Sequence, residues 1–235
     1  MIHAETQAVD PRRLWWQAGL ALAYVILLYP VGWGNFGHLH PGLQALVENG
    51  ARWGWYSFWG TVFIVEWVGF FLCLWALRRD GRAQREIGLY SGRFRLYVVL
   101  FIVAIVGFSA LLVAKGLHWI PSGPSYPHGL FSFTSPAERF FWLAMAITGG
   151  VCEETMFRRF AITYLRRLVR SSWLAILLSS LAFAYVHGGL HEGTGPFAVR
   201  LALGLVYAGI YLWRDTLLPA MLLHFLMDAF MAVAS

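Results

Sequence analysis

Long apolar stretches separated by short polar segments run through the whole chain. A transmembrane α-helix needs about 20 predominantly apolar residues to cross a hydrocarbon core roughly 30 Å thick. By this measure we expect an all-α, polytopic membrane bundle of about seven helices, within a range of six to eight, that forms a single domain over residues 1–235. The predicted spans are 15–33, 54–77, 96–115, 136–168, 172–187, 196–213 and 216–234.

Composition agrees with this pattern, because 59% of the residues are hydrophobic and only 13% are charged. A soluble domain carries roughly 25% charged residues. The N-terminal segment is polar and the apolar run after it is long enough to span, so we expect no cleavable signal peptide. Cys73 and Cys152 both fall within predicted spans, so we do not expect a disulfide framework.

The formal net charge of +6 does not indicate nucleic-acid binding, because the arginines cluster at the ends of the predicted spans. The positive-inside rule distributes charge in this way. All the arginine-rich segments fall on one side of the membrane if the N-terminus is cytoplasmic. We therefore expect an integral membrane protein with a cytoplasmic N-terminus, with the lipid bilayer as a partner and no nucleic acid. The expected location is the plasma (inner) membrane of a prokaryote.

The fourth span has a clear start. Ser135, Pro136 and Glu138 supply an N-cap serine, a proline at the first helical position and a glutamate three residues after the cap, which is a capping box. No strong stop follows before Ser171-Ser172. The helix can therefore run for about 32 residues, or ~48 Å, so one end protrudes or tilts.

Four charges lie within this span, in the stretch VCEETMFRRF at residues 151–160. A charge at mid-bilayer costs roughly 2.5–3.5 kcal/mol on insertion scales, so such residues face the bundle interior and pair with one another. Glu154 and Arg158 are four residues apart in the favourable order and are predicted to form an ion pair. On an α-helix Glu153 lies about 100° away from Glu154, which leaves it available for another partner.

His187 is the partner expected for Glu153. The turn between the fourth and fifth spans lies near Arg170, with Glu153 17 residues before it and His187 17 residues after it. Antiparallel helices bring such positions to matching depth, ~25 Å from the turn. Phe183, four residues before His187, is predicted to pack beside the imidazole.

The last span adds His224 and Asp228, again four residues apart. Their distance from the preceding turn is ~12–18 Å, which is shallower than Glu153 but compatible with a shared site. A carboxylate beside an imidazole in a dry site can activate water, and a second histidine with a neighbouring acid can stabilise an oxyanion or protonate a leaving amine. Such a polar core inside apolar helices suits peptide hydrolysis within a membrane.

Three motifs now stand in order, EETMFR (Glu153–Arg158), FAYVH (Phe183–His187) and HFLMD (His224–Asp228). They resemble the EExxxR, FxxxH and HxxxN/D motifs of the CPBP family. That family comprises type 2 CAAX prenyl endopeptidases and bacteriocin-processing or self-immunity proteins. The resemblance covers the C-terminal third of the chain, with the family motifs concentrated in residues 136–235.

The resemblance implies an intramembrane glutamic endopeptidase that acts on a peptide or protein substrate at the membrane and needs no cofactor. Carried over by position, Glu153 and His187 activate the water, His224 and Asp228 hold the oxyanion, and Glu154 and Arg158 support the site. Many members have asparagine at position 228. An ionised aspartate cannot donate a hydrogen bond to an oxyanion, so Asp228 is either protonated or orients His224 as an acceptor, and we favour the second interpretation.

Two other functions stay open. A zinc protease would use His187, His224 and an acid as ligands. A membrane scaffold, immunity factor or proton-coupled carrier would use the buried charges without catalysis. The substrate is open as well, because prenylated CAAX tails, bacteriocin leaders and membrane-anchored sorting tails all suit the family. No role follows for four further polar residues, Glu66, Arg159, His191 and Glu192.

Overall fold

A computed structural model describes residues 11–29, 52–79, 94–118, 133, 135–187, 190, 193–214 and 216–234. Within these residues the chain is helical and contains no strand, so the predicted all-α class is confirmed. The sequence also predicts a short surface helix at 42–49, and these residues lie outside the described part of the chain.

The described residues form seven helices, one at each predicted span. Helix α1 covers Pro11–Ala23 and continues as a π-helix over Tyr24–Leu28; α2 is Arg52–Arg79; α3 is Phe94–Gly116; α4 runs through Pro136–Thr148, a π-helical segment Gly149–Ala161, and Ile162–Val169; α5 is Ser172–Val186; α6 is Thr194–Arg214; α7 is Leu218–Ala234.

Three helices in the described part of the chain are long and apolar enough to cross a bilayer by length and composition, namely Trp53–Arg78, Phe94–Gly116 and Thr194–Arg214. Shorter apolar helices occupy Trp15–Leu28, Ser172–Val186 and Leu218–Ala234. Helix α3 exposes most of its apolar side chains, which is the surface expected of a helix that faces lipid. The number of seven membrane spans stays a prediction.

Helix α4 begins and ends as its sequence predicts. The Ser135 hydroxyl accepts from the backbone N–H of Glu138 at 3.3 Å, and the Glu138 carboxylate accepts from the backbone N–H of Ser135 at 3.2 Å, which completes the capping box. The helix stops after Val169, where Arg170 turns to a left-handed conformation with φ +55°. The Ser171 hydroxyl then caps α5 by accepting from the backbone N–H of Leu174.

Helix α4 is the centre of the bundle, because it contacts each of the other six helices of the described region. All of its π-helical residues except Val151 are buried. The expectation of regular α-helical geometry was therefore wrong for the stretch that carries the four charges. A π-helix forms i→i+5 hydrogen bonds and so changes the angular spacing of successive side chains. Such segments are rare and occur frequently at functional sites.

Gly150 allows α7 to approach the π-helical segment of α4. A Cβ atom at Gly150 would lie 2.8 Å from the backbone oxygen of Met221 and 3.3 Å from the backbone nitrogen of Phe225. Both contacts are with backbone of α7, which cannot move without displacing the whole helix. The close approach therefore requires glycine at this position.

Gly150→Ala is expected to destabilise the protein by about 1–3 kcal/mol, because overpacking must push α7 away from α4. Thermal unfolding in detergent micelles measures the change. Gly209→Ala on α6 is the matched control, since a Cβ atom there meets nothing within 4 Å. Equal stability of the two variants would contradict the close packing of α4 and α7.

Candidate active site

Glu153 and His187 face each other across α4 and the end of α5. Oε2 of Glu153 lies 3.6 Å from Nε2 of His187. Nδ1 of His187 lies 2.9 Å from the backbone oxygen of Phe183, and because a carbonyl only accepts, Nδ1 carries a proton that it donates. Nε2 is therefore the nitrogen presented to Glu153. The Phe183 ring packs against this imidazole with centroids 4.4 Å apart, as the sequence predicts.

The predicted ion pair between Glu154 and Arg158 is present, with Nε of Arg158 3.2 Å from Oε2 of Glu154. Both side chains are buried, with 1% and 0% of their surface exposed. The Arg158 guanidinium also lies over the rings of Phe183, at 4.2 Å from the centroid, and Tyr207, at 5.2 Å. These aromatic faces add cation–π attraction to a charge that has little access to water.

His224 joins the two glutamates. Its Nδ1 lies 2.9 Å from Oε1 of Glu154, and its Nε2 lies 3.9 Å from Oε2 of Glu153. The two carboxylates therefore contact opposite nitrogens of one imidazole, whereas the sequence placed Glu153 on a face turned away from the Glu154 pair. Arg158 pairs with Glu154 and Glu153 lies beside His187, as predicted, whereas the contact of both glutamates with His224 was not predicted.

Asp228 lies beside the same imidazole, with Oδ2 3.5 Å from Nε2 of His224. The closer acceptor is Glu154, at Nδ1, so Glu154 rather than Asp228 has the shorter contact that orients the ring. The Tyr207 ring stacks on the imidazole with centroids 5.1 Å apart and planes inclined by 16°. His224 and Asp228 thus lie at the same depth as Glu153. Their distance from the preceding turn in the sequence had suggested a shallower position.

A cavity of about 450 Å³ is lined by Glu153, His187, His224 and Asp228. Ligand pockets typically enclose 300–1,000 Å³ and combine apolar walls with a few convergent polar groups. Gly149 forms part of the wall, because a Cβ atom there would lie 3.2 Å from Oδ2 of Asp228 and 3.8 Å from Nε2 of His224. The lining residues include Trp59, Trp142, Met145, Val199, Leu203, Met227, Phe230 and Met231.

Several residues in the cavity wall, or in contact with it, received no role from the sequence. Tyr29, from α1, places its hydroxyl 3.2 Å from Oε1 of Glu153 and 3.4 Å from Oε1 of Glu66. Glu66, for which the sequence predicted no role, lines the cavity. Arg200 and Tyr207, both from α6, line it as well. The sequence could have indicated Glu66, because a carboxylate in the middle of a span is unusual. It could not have indicated the tyrosines, because tyrosine is common at membrane interfaces.

Of the other residues that the sequence analysis considered, two have a structural role and two lie outside the described part of the chain. The Arg159 guanidinium donates to the Tyr211 hydroxyl at 3.1 Å and so ties α4 to α6. Cys152 is fully buried in an apolar cluster, where it packs as a small apolar residue. His191 and Glu192 lie outside the described residues.

Glu153, His187 and His224 are also the residues that could hold a metal ion, because one ligand atom from each lies within 4.8 Å of the others. Ligands 2.0–2.1 Å from a tetrahedral zinc ion are about 3.4 Å apart. Oε2 of Glu153 is 3.6 Å and 3.9 Å from the two Nε2 atoms, so the set is wider than a zinc shell. The side chains would have to move inward to bind zinc.

Comparison with known proteins gives one match. Residues 135–230 match the family model described as type II CAAX prenyl endopeptidase, Rce1-like. Neither the curated proteins nor the solved structures include a match. The matched region carries α4 to α7 and with them all three sequence motifs. The predicted resemblance to this family is thereby confirmed for residues 135–230, the part of the chain that the family model covers.

Proposed function

We propose that the protein is an intramembrane glutamic endopeptidase in which Glu153 and His187 activate a water molecule for attack on a peptide bond. The match to a CAAX protease family model supports a membrane protease. The observation that carries the finer proposal is the 3.6 Å separation between Oε2 of Glu153 and Nε2 of His187, on the wall of the cavity. That distance is longer than a direct hydrogen bond, and one water molecule placed beside the two atoms can form a hydrogen bond with each of them.

In the proposed reaction the Glu153 carboxylate takes a proton from this water while the water oxygen forms a bond to the carbonyl carbon of the substrate. His187 accepts a hydrogen bond from the water through Nε2, because its proton is on Nδ1, which donates to the Phe183 backbone oxygen. The proton on Glu153 then passes to the amide nitrogen as the C–N bond breaks. The products are a new carboxyl terminus and a free amine.

His224 is assigned to the negative charge that develops on the carbonyl oxygen. Its Nδ1 proton is donated to Glu154, so Nε2 can donate a second hydrogen bond only as the imidazolium. Asp228, 3.5 Å from Nε2, would accept the hydrogen bond of this N–H between turnovers, and the N–H would donate to the substrate oxygen while negative charge is present on it. Glu154 and Arg158 fix the imidazole from the opposite side, which is the preorganisation that oxyanion stabilisation requires.

The substrate is proposed to be a membrane-associated peptide with an extended segment, and the family name favours a prenylated C-terminal tail. The largely apolar lining of the cavity suits such a ligand. Arg200 is the one cation among the described lining residues, and it lies where it could attract the carboxylate of a short C-terminal peptide. Bacteriocin leaders and sorting tails are the other classes that the experiment below must distinguish.

The experiment that tests the function is a search for new peptide termini. Purified wild-type protein and Glu153→Gln are each incubated with membrane proteins of the source organism, and the termini are identified by mass spectrometry. We expect a set of termini that only the wild type produces, and their position reveals the substrate class. Identical termini with both proteins would refute the proposal, and equal biological activity of both would favour a scaffold or immunity role.

Zinc-dependent hydrolysis is the second candidate, because both imidazoles donate their Nδ1 protons to acceptors, as zinc-bound histidines commonly do. We propose instead that no resident metal is needed, because Oε2 of Glu153 and Nε2 of His187 lie on the cavity wall where one water can bond to both. Elemental analysis of purified protein, together with a thermal shift on adding zinc to wild type and to His187→Ala, tests this alternative. Stoichiometric zinc that is lost in the variant would favour it.

A further inference from the structure

The hydroxyl of Tyr29 lies between two buried carboxylates. Its Oη atom is 3.2 Å from Oε1 of Glu153 and 3.4 Å from Oε1 of Glu66, and all three side chains are buried. A phenol has one proton to donate, and two ionised carboxylates can only accept. The second contact is therefore a hydrogen bond only if one of the carboxyl groups carries a proton and donates it to the phenol oxygen.

The surroundings of the two glutamates decide which one carries this proton. Oε2 of Glu153 lies within 3.9 Å of Nε2 atoms of both His187 and His224. Oε2 of Glu66 and Oε2 of Glu153 are both buried without a hydrogen-bond partner among the described residues, and Tyr29 is the one partner of Glu66 there. Only Glu153 has beside it an imidazole, that of His224, which carries a positive charge when both of its nitrogens are protonated. An ionised carboxylate is far costlier to bury than a neutral carboxylic acid. The neutral group is therefore Glu66.

We propose that Glu66, Tyr29 and Glu153 form a directional hydrogen-bond chain in which neutral Glu66 donates to Tyr29 and Tyr29 donates to the Glu153 carboxylate. This inference rests on the proposed function, because it assigns the chain to the positioning of the catalytic base. Glu66 and Tyr29 do not touch the reacting atoms. They fix Oε1 of Glu153 so that Oε2 stays directed at His187.

The backbone supports this role for Tyr29. It directly follows the π-helical segment Tyr24–Leu28 of α1, and the residue it contacts lies in the π-helical segment of α4. Tyr29 also packs on Phe157 of that segment, with ring centroids 6.2 Å apart. Two π-helical segments thus contact each other beside this hydrogen bond, and such segments occur frequently at functional sites.

Tyr24 provides a matched control. Its ring is parallel to that of Tyr29, with centroids 6.1 Å apart and planes inclined by 3°. Its hydroxyl donates instead to the backbone oxygen of Val65, at 2.8 Å, and not to Glu66 or Glu153. A phenylalanine at either position removes one hydroxyl from the same helix, but only Tyr29→Phe removes the donor to Glu153.

Infrared difference spectroscopy tests the proton on Glu66 without reference to activity. Spectra of purified wild type, Glu66→Gln and Glu153→Gln are compared in the carbonyl-stretch region of protonated carboxylic acids. We expect a band that is present in wild type, absent in Glu66→Gln and retained in Glu153→Gln. No band in the wild type, or a band that disappears with Glu153→Gln instead, would overturn the inference even if Glu153→Gln were inactive.

Kinetics with a quenched-fluorescent farnesylated peptide test the positioning. Tyr29→Phe is expected to lower kcat about tenfold with KM unchanged, as the loss of a hydrogen bond to a charged group implies, and Tyr24→Phe to stay within about twofold of wild type. Glu66→Leu should lower kcat about threefold, and Glu66→Gln, whose amide can donate to the phenol, should restore it. Equal kcat in the two tyrosine variants, or a loss in Glu66→Gln as large as in Glu66→Leu, would refute the chain.

Discussion

Replacement of Glu153 by glutamine is expected to lower kcat for a farnesylated CAAX peptide by roughly 10²–10⁴-fold, the contribution typical of a general base. An amide cannot take the proton from water, but it matches the carboxyl group in size and still accepts from Tyr29 through its oxygen. Substrate binding does not require the proton transfer, so KM should change little. Initial rates over a range of peptide concentrations, in detergent micelles or vesicles, measure both constants.

The control for Glu153→Gln is its fold. Size-exclusion elution and melting temperature should match those of wild type, because the substitution removes a buried carboxylate without creating a cavity. His187→Ala should show a comparable loss of kcat if the two side chains act on one water, and the double variant should be little slower than either single variant. Losses that multiply in the double variant would contradict a shared role.

The second large effect concerns stability. Arg158→Met removes the cation that neutralises Glu154 and leaves that carboxylate, which is fully buried, without its guanidinium partner. Breaking a buried pair by removing one partner typically costs about 3–5 kcal/mol. Methionine is chosen because it keeps an apolar contact with the Phe183 ring, over which the guanidinium lies. The free energy of unfolding in mixed micelles is the measurement.

A second substitution separates charge from packing. In the double variant Glu154→Gln/Arg158→Met no unpaired charge remains, so most of the lost stability should return. Its activity should stay low, because His224 loses the charged acceptor at Nδ1. If Arg158→Met were as stable as wild type, the Glu154–Arg158 contact would not be an ion pair, and the account of the buried charges would fail.

Local patterns predicted the parts of the structure that local rules control. The capping box fixed the start of α4 at Ser135, and the four-residue spacing predicted the Glu154–Arg158 pair. Matching distances from the turn near Arg170 predicted that Glu153 and His187 meet, because rise per residue is nearly constant along apolar helices. These features depend on one helix or on two helices joined by a short turn.

Contacts that depend on helix rotation could not be predicted in this way. The π-helical segment of α4 has no signature in the alternation of polar and apolar residues, so the sequence predicted a regular α-helix there. The contact of His224 with Glu154 depends on how α7 is rotated against α4, which the close approach at Gly150 helps to fix. Tyr29 comes from the far end of the sequence, and nothing local links it to Glu153.

The most direct test of the account measures peptide hydrolysis by metal-free protein. Wild-type protein is stripped with a chelator, its metal content is verified by elemental analysis, and its rate on the farnesylated peptide is compared with that of untreated protein and of Glu153→Gln. If Glu153 and His187 activate water themselves, the stripped wild type cleaves at the untreated rate and Glu153→Gln does not cleave. Loss of cleavage on stripping, restored by zinc, would contradict the glutamic mechanism, and cleavage by Glu153→Gln would contradict the assigned base.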